Sequence, residues 1–217
     1  KNNESEVSFK SSFFIKITWL IAIPCFLMFL IFSPDIITML YKNGLSDLVI
    51  NEYVFAYKLL MISSVSILYY AFLQTFTSIL QSINKPLIPF IGLSVAIRIG
   101  LLYLFVSNPN INIFGVALSN IGFLSVAILI NLVAIKKYIK LNYNFYKLII
   151  APISAGIITG IVLYFLRLAL MNVLNVWIYA IICGLVCITC FVGLIVLFKC
   201  FSKQEVNMLK RKNKLKV

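Results

Sequence analysis

The chain has 217 residues, 62% hydrophobic and 12% charged, with a mean hydropathy of +1.05. A soluble domain runs near half apolar and a quarter charged, so this composition excludes a water-soluble globular protein. The net charge is +13, histidine is absent and only six acidic residues occur. The commonest general base and metal ligand is therefore missing, and no enzymatic activity, metal site or cofactor is expected.

A membrane-crossing helix needs about 20 mostly apolar residues, and windows of that kind recur along the chain. The first is Phe13–Phe32, with Pro24 near its middle. In "SPDIITMLYKNG", Ser33 can cap a new helix, Pro34 suits its first position and Asp35 favours its positive end. Asn43-Gly44 would terminate it, so Pro34–Tyr41 reads as a short interfacial extension. The further windows are Val54–Leu80, Leu87–Val106 (with Pro86 and Pro89 at its opening turn), Ile113–Ile135, Leu148–Leu168 (with Pro152 near its start) and Val176–Phe198. The fold class expected is an all-α membrane protein with six transmembrane helices.

Charge sets the expected orientation. Lys1, Lys10, Lys16, Lys85, the group around Lys136–Lys147 and the tail from Lys199 onward fall on one set of flanks. Lys42, Lys58 and Arg167 fall on the other, and Arg98 lies inside a span. Basic residues concentrate on the cytoplasmic side, so both ends are expected there, with Asp35, Asp47 and Glu52 near the outer surface. The excess of positive charge then reflects topology and attraction to anionic membrane lipids. No basic stripe is interleaved with aromatics, and no nucleic-acid partner is expected.

Arg98 sits about 18 Å along the third span at a rise of about 1.5 Å per residue, slightly past the middle of a core about 30 Å thick. A central arginine costs about 2.5–3.5 kcal/mol on insertion scales. It is expected to face a wet interior of the bundle, where a guanidinium fork matches phosphate oxygens; the plainer alternative is a structural arginine bonded to neighbouring helices. Gln74, Ser78 and Gln81 share one helix face at 4-then-3 spacing, with Thr77 nearby, and Asn120, Ser125 and Asn131 add polar groups to the fourth span. Taken singly, such residues read as interhelical hydrogen-bond glue.

"GIITG" (Gly156–Gly160) is a small-residue packing motif. Cys183, Cys187 and Cys190 line one face of the last span and read as packing residues. Lys58 and Arg167 read as snorkelling anchors, and Trp177, Tyr138 and Tyr146 as interfacial aromatics.

Three stretches carry a family resemblance. "LQSINKP" (Leu80–Pro86) is similar to a turn between two spans, a cationic residue (Arg98) follows in the next span, and "NIFGVALSNIG" (Asn112–Gly122) is similar to the start of the helix after it. With "MLYKNG" at the exit of the first span, the chain resembles the C-terminal half of polysaccharide and lipid-linked oligosaccharide flippases. These belong to the multidrug/oligosaccharidyl-lipid/polysaccharide exporter superfamily, in the branch of stage V sporulation protein B and the lipid II flippases. Ser82 and Asn84 stand where the family commonly has glycine.

The resemblance implies half of a MATE-like two-lobed transporter in a bacterial cytoplasmic membrane. Residues 1–141 would be the first four spans of a C-terminal lobe, 142–201 two additional spans, and 202–217 a basic cytoplasmic tail. Since the chain begins at Lys1, the N-terminal lobe is expected to lie in a missing part of the same protein. The implied partner is a lipid-linked glycan on a polyprenyl pyrophosphate, moved by alternating access. Candidate substrate-binding residues are Arg98, Gln74, Ser78, Gln81 and Asn120. A multidrug/cation antiporter of the same fold would call for intramembrane carboxylates, which are lacking here. A membrane-embedded enzyme would need acids or histidines at the membrane face. A non-transporting scaffold would tolerate loss of Arg98.

Overall fold

A computed structural model describes residues 2–41, 50–84, 88–108, 111, 113–138 and 146–202, with the side chains of 2–6, 50–51 and 88–91 outside the description. These residues form α1 (Asn2–Ile31), α2 (Ser33–Tyr41), α3 (Ile50–Ser82), α4 (Ile88–Val106), α5 (Phe114–Tyr138), a π-helical turn (Tyr146–Ile150), α6 (Ala151–Leu170) and α7 (Val176–Leu197). No strand occurs among the described residues. The all-helical expectation holds.

Among the described residues five stretches are long and apolar enough to cross a membrane: Val7–Ile31, Glu52–Ser82, Phe114–Tyr138, Tyr146–Leu170 and Val176–Leu197. The remaining expected span falls on α4, whose described apolar part, Gly92–Val106, is shorter. The proposed terminator Asn43-Gly44 and the turn residues Lys85 and Pro86 lie outside the described residues.

α1 is the central element. It packs on α3 along one side and on α6 and α7 along the other. Beyond α3 come α5 and then α4. One apolar cluster joins α1 to the α6–α7 pair around Ile23, Leu163, Cys183, Cys187 and Phe191, all buried. A second joins α1, α3, α5 and the π turn through Ile15, Phe76, Leu80, Ile135 and Leu148.

Lipid tails are as apolar as leucine, so close backbone approach and interhelical polar bonds hold such a bundle together. Both devices are present. A Cβ on Gly156 would lie 2.9 Å from Ile23 and one on Gly160 would lie 3.2 Å from Leu27, so the small-residue motif of α6 seats α1, as its spacing predicts. On α5, a Cβ at Gly115 would lie 2.8 Å from the backbone of Phe105 and one at Gly122 would lie 2.7 Å from Leu101. These glycines of the "NIFGVALSNIG" stretch are where α4 is pressed onto α5.

Polar bonds tie α3 to α5. The Tyr70 hydroxyl donates to Asn120 Oδ1 at 3.2 Å, Asn120 Nδ2 donates to Ser66 Oγ at 3.2 Å, and Asn131 Nδ2 donates to Thr77 Oγ1 at 3.1 Å.

Local chemistry explains the helix ends. Pro152 lacks the N–H that Leu148 would use in an α-helix, and the wider π turn over Tyr146–Ile150 leads into α6 there. Ser33 does not cap α2 as its position predicts. Its hydroxyl turns back and donates to the Leu30 carbonyl at 3.3 Å, because the backbone runs almost without a break from α1 into α2 through the Phe32–Met28 and Ile36–Phe32 bonds. α7 ends with Lys199 in the left-handed conformation (φ 48°), while the Cys200 and Lys199 N–H groups bond back to Ile195 and Val196. The chain then folds against α1, with Phe201 edge-on to Phe13 and Cys200 buried.

Candidate functional site

The polar face predicted on the second span opens onto a cavity. A groove of about 640 Å³ runs between the first two-thirds of α1 and the last third of α3. Its walls are mostly apolar, with Phe14, Ile17, Ile21 and Ala71 among them. A line of polar groups crosses them: Ser11 and Thr18 from α1, and Gln74, Thr75, Ser78 and Ser82 from α3, with Lys10 beside its N-terminal end.

The helix period builds this line. Gln74, Ser78 and Ser82 recur every four residues and so lie above one another on one face. Thr18 and Thr75 meet across the floor with their hydroxyls 2.6 Å apart, and each also lies within reach of a carbonyl one turn back, Phe14 at 3.0 Å and Ala71 at 2.8 Å, so that one hydroxyl donates across the groove and the other to its own helix. These hydroxyls are therefore satisfied within the protein. Gln74 and Ser78 are exposed to the groove and, among the described residues, form no hydrogen bond. An amide and a hydroxyl on an apolar wall can donate to and accept from a polar group that enters.

The other candidates lie elsewhere. Gln81 is exposed in the last turn of α3 and does not line the groove. Asn120 spends both of its amide atoms on Tyr70 and Ser66, inside the α3–α5 seam. Arg98 projects from the exposed side of α4, with its guanidinium carbon 5.6 Å from the centre of the Phe123 ring. The described helices of this chain do not enclose Arg98. α4 packs along one neighbour, α5, and Ser94, Ile97, Leu101 and Phe105 form its covered stripe. Arg98 lies at the margin of that stripe, where a ring face is its contact.

A second polar constellation was not visible in the sequence. Arg167 of α6 grips Asp35 of α2 with two prongs, Nε to Oδ2 at 2.6 Å and Nη2 to Oδ1 at 3.2 Å. Tyr179 of α7 donates to the same carboxylate at 2.5 Å. The paired side chains are only 17% and 12% exposed. Arg167 is thus not a free snorkelling anchor, because a carboxylate is seated within reach of its fork. α2 is held on its other side by α3: the Tyr53 hydroxyl lies 3.0 Å from the Pro34 carbonyl and 2.9 Å from Thr38 Oγ1. Asp35 and Arg167 are 132 residues apart. The available signal was an acid and a cation assigned to the same side of the membrane in a chain poor in acids.

Cys183 and Cys187 are fully buried against α1, as packing residues. Among the described residues no cluster of side chains could hold a metal ion. Cys200, beyond the end of α7, is buried, which pushes its thiol pKa up, while Lys16 and Lys147 pull the other way.

No family model, curated protein or solved structure shows a significant match to this chain. Among the described residues the chain is all-helical, with five helical stretches of membrane-crossing length and character.

Proposed function

We propose that this chain is part of a flippase that carries lipid-linked oligosaccharide or polysaccharide precursors across a bacterial cytoplasmic membrane. In this reading six helices cross the membrane, both ends are cytoplasmic, and the chain is one half of a MATE-like transporter. The observation that carries the reading is the α1–α3 groove, whose apolar walls are crossed by a polar line with Lys10 at one end. An amphipathic cargo needs that combination: hydrocarbon against the walls, and a polar head against groups that replace water. The resemblance of Leu80–Pro86 and Asn112–Gly122 to the flippase family supports the same cargo class.

The test uses the whole protein that contains this chain, reconstituted in liposomes with a fluorescent lipid-linked glycan. Quenching from outside reports the share that has crossed. Crossing above the rate of empty liposomes, slowed by filling the groove with Ser78→Phe, is the expected result. A rate equal to empty liposomes overturns the reading and leaves a scaffold whose groove holds ordinary lipid.

A further inference from the structure

We infer that α2 is a gate: a crosspiece that closes the α1–α3 groove at the end opposite Lys10 and must release when the groove opens there. The inference rests on the transport reading above and adds which element controls access.

The groove is built from the early part of α1 and the late part of α3, so it lies toward the end of the bundle that carries Lys10. From Ala22, the last α1 residue to line it, the chain runs 13 residues to Asp35, about 20 Å along a helix at about 1.5 Å per residue. At that far end α2 packs on α3 and its Asp35 is bonded to α6 and α7. Two polar attachments hold it. One is Tyr53 of α3, set against the Pro34 carbonyl and the Thr38 hydroxyl. The other is Asp35, held by Arg167 and Tyr179. Pro34, Asp35 and Thr38 belong to one turn of α2, so a single turn carries both attachments.

Hydrogen bonds and an ion pair between side chains form discrete links that can break and reform, which suits an element with two positions. α1 cannot part from α3 at this end while Tyr53 holds Pro34 and Thr38. α2 cannot swing with α1 away from α6 and α7 while Arg167 holds Asp35. With the crosspiece in place, the groove is accessible from the Lys10 end and closed at the other. Charge distribution assigns the Lys10 end to the cytoplasm, so this is an inward-open arrangement.

The test places a single added cysteine at Ser78 in the whole protein in intact cells, and follows its reaction with a membrane-impermeant maleimide added outside, measured against the same protein without the addition. The reporter should be labelled slowly from outside and readily in inside-out vesicles. Tyr53→Phe and Asp35→Asn, which keep shape and remove one link each, should each raise outside labelling by about fivefold to tenfold, the weight of one hydrogen bond in a two-state equilibrium. If Asp35→Asn fails to accumulate in the membrane, Tyr53→Phe alone decides. Unchanged outside labelling in Tyr53→Phe, with inside labelling intact, overturns the gate and spares the transport reading. Absence of labelling from either side overturns the wet groove on which both rest.

Discussion

Two arginines in this chain stand in opposite circumstances. Arg167 lies near the end of α6, mostly buried, with its fork filled by Asp35 and a tyrosine beside it. Arg98 lies in the middle of α4, exposed, with an aromatic face for company. The regions around them differ in the same way. α1, α2, α6 and α7 are knitted by a buried apolar cluster and charged hydrogen bonds, whereas α4 is attached along one stripe to α5. A charge near a lipid-facing surface is tolerated when a partner or an aromatic face is close, and the density of packing around it decides which is available.

The largest predicted effect belongs to the knitted side. Arg167→Leu leaves a carboxylate without its partner and should destabilise the protein by about 3 kcal/mol, read as loss of thermal stability in detergent. Adding Asp35→Asn should recover part of that loss, because the stranded charge is gone. Next comes the α4–α5 seam. Gly115→Ala drives a methyl group into the Phe105 backbone and should cost about 1–3 kcal/mol. Gly184→Ala meets only the tip of Met28 at 3.7 Å, and helix propensity should make it neutral or stabilising by up to about 1 kcal/mol. Arg98→Leu removes a ring contact and should change folded stability by less than about 1 kcal/mol. A loss as large as that of Arg167→Leu would show that another part of the protein, or a partner, covers the exposed face of α4.

The smallest effect concerns thiols. Burial and the raised pKa of Cys200 leave little thiolate near neutral pH, so its alkylation should be slow and should accelerate as pH rises past the ordinary thiol range. Fast alkylation of Cys200 at neutral pH would mean that the fold of Lys199–Ser202 onto α1 opens readily.

Much of the fold was legible because lipid imposes one simple rule, a long apolar helix. The positions of α1, α3, α5, α6 and α7 follow from that rule, and the seating of α1 on Gly156 and Gly160 from small-residue spacing. The Gln74–Ser78 face was legible from the helix period alone. Which neighbour supplies the opposite wall, here α1 with Thr18, was not, because periodicity fixes a face and says nothing of what it meets. The same gap hid the Asp35–Arg167–Tyr179 cluster, whose members come from three helices. It also left the surroundings of Arg98 open: depth in a span is readable from sequence, but the side of the helix left uncovered depends on packing that only the assembled chain reveals.

The measurement that bears most directly on this account compares nitroxide labels at Gln74 and at Leu102 in the protein in a lipid bilayer, using relaxation by a water-soluble nickel chelate and by oxygen. Leu102 is exposed on α4 and should show the high oxygen, low nickel profile of a lipid-facing site. Gln74 should show strong nickel relaxation, as a site open to water through the groove. A Gln74 profile matching that of Leu102 would mean the groove is dry and lipid-filled, and would contradict the polar pathway on which the proposed function depends.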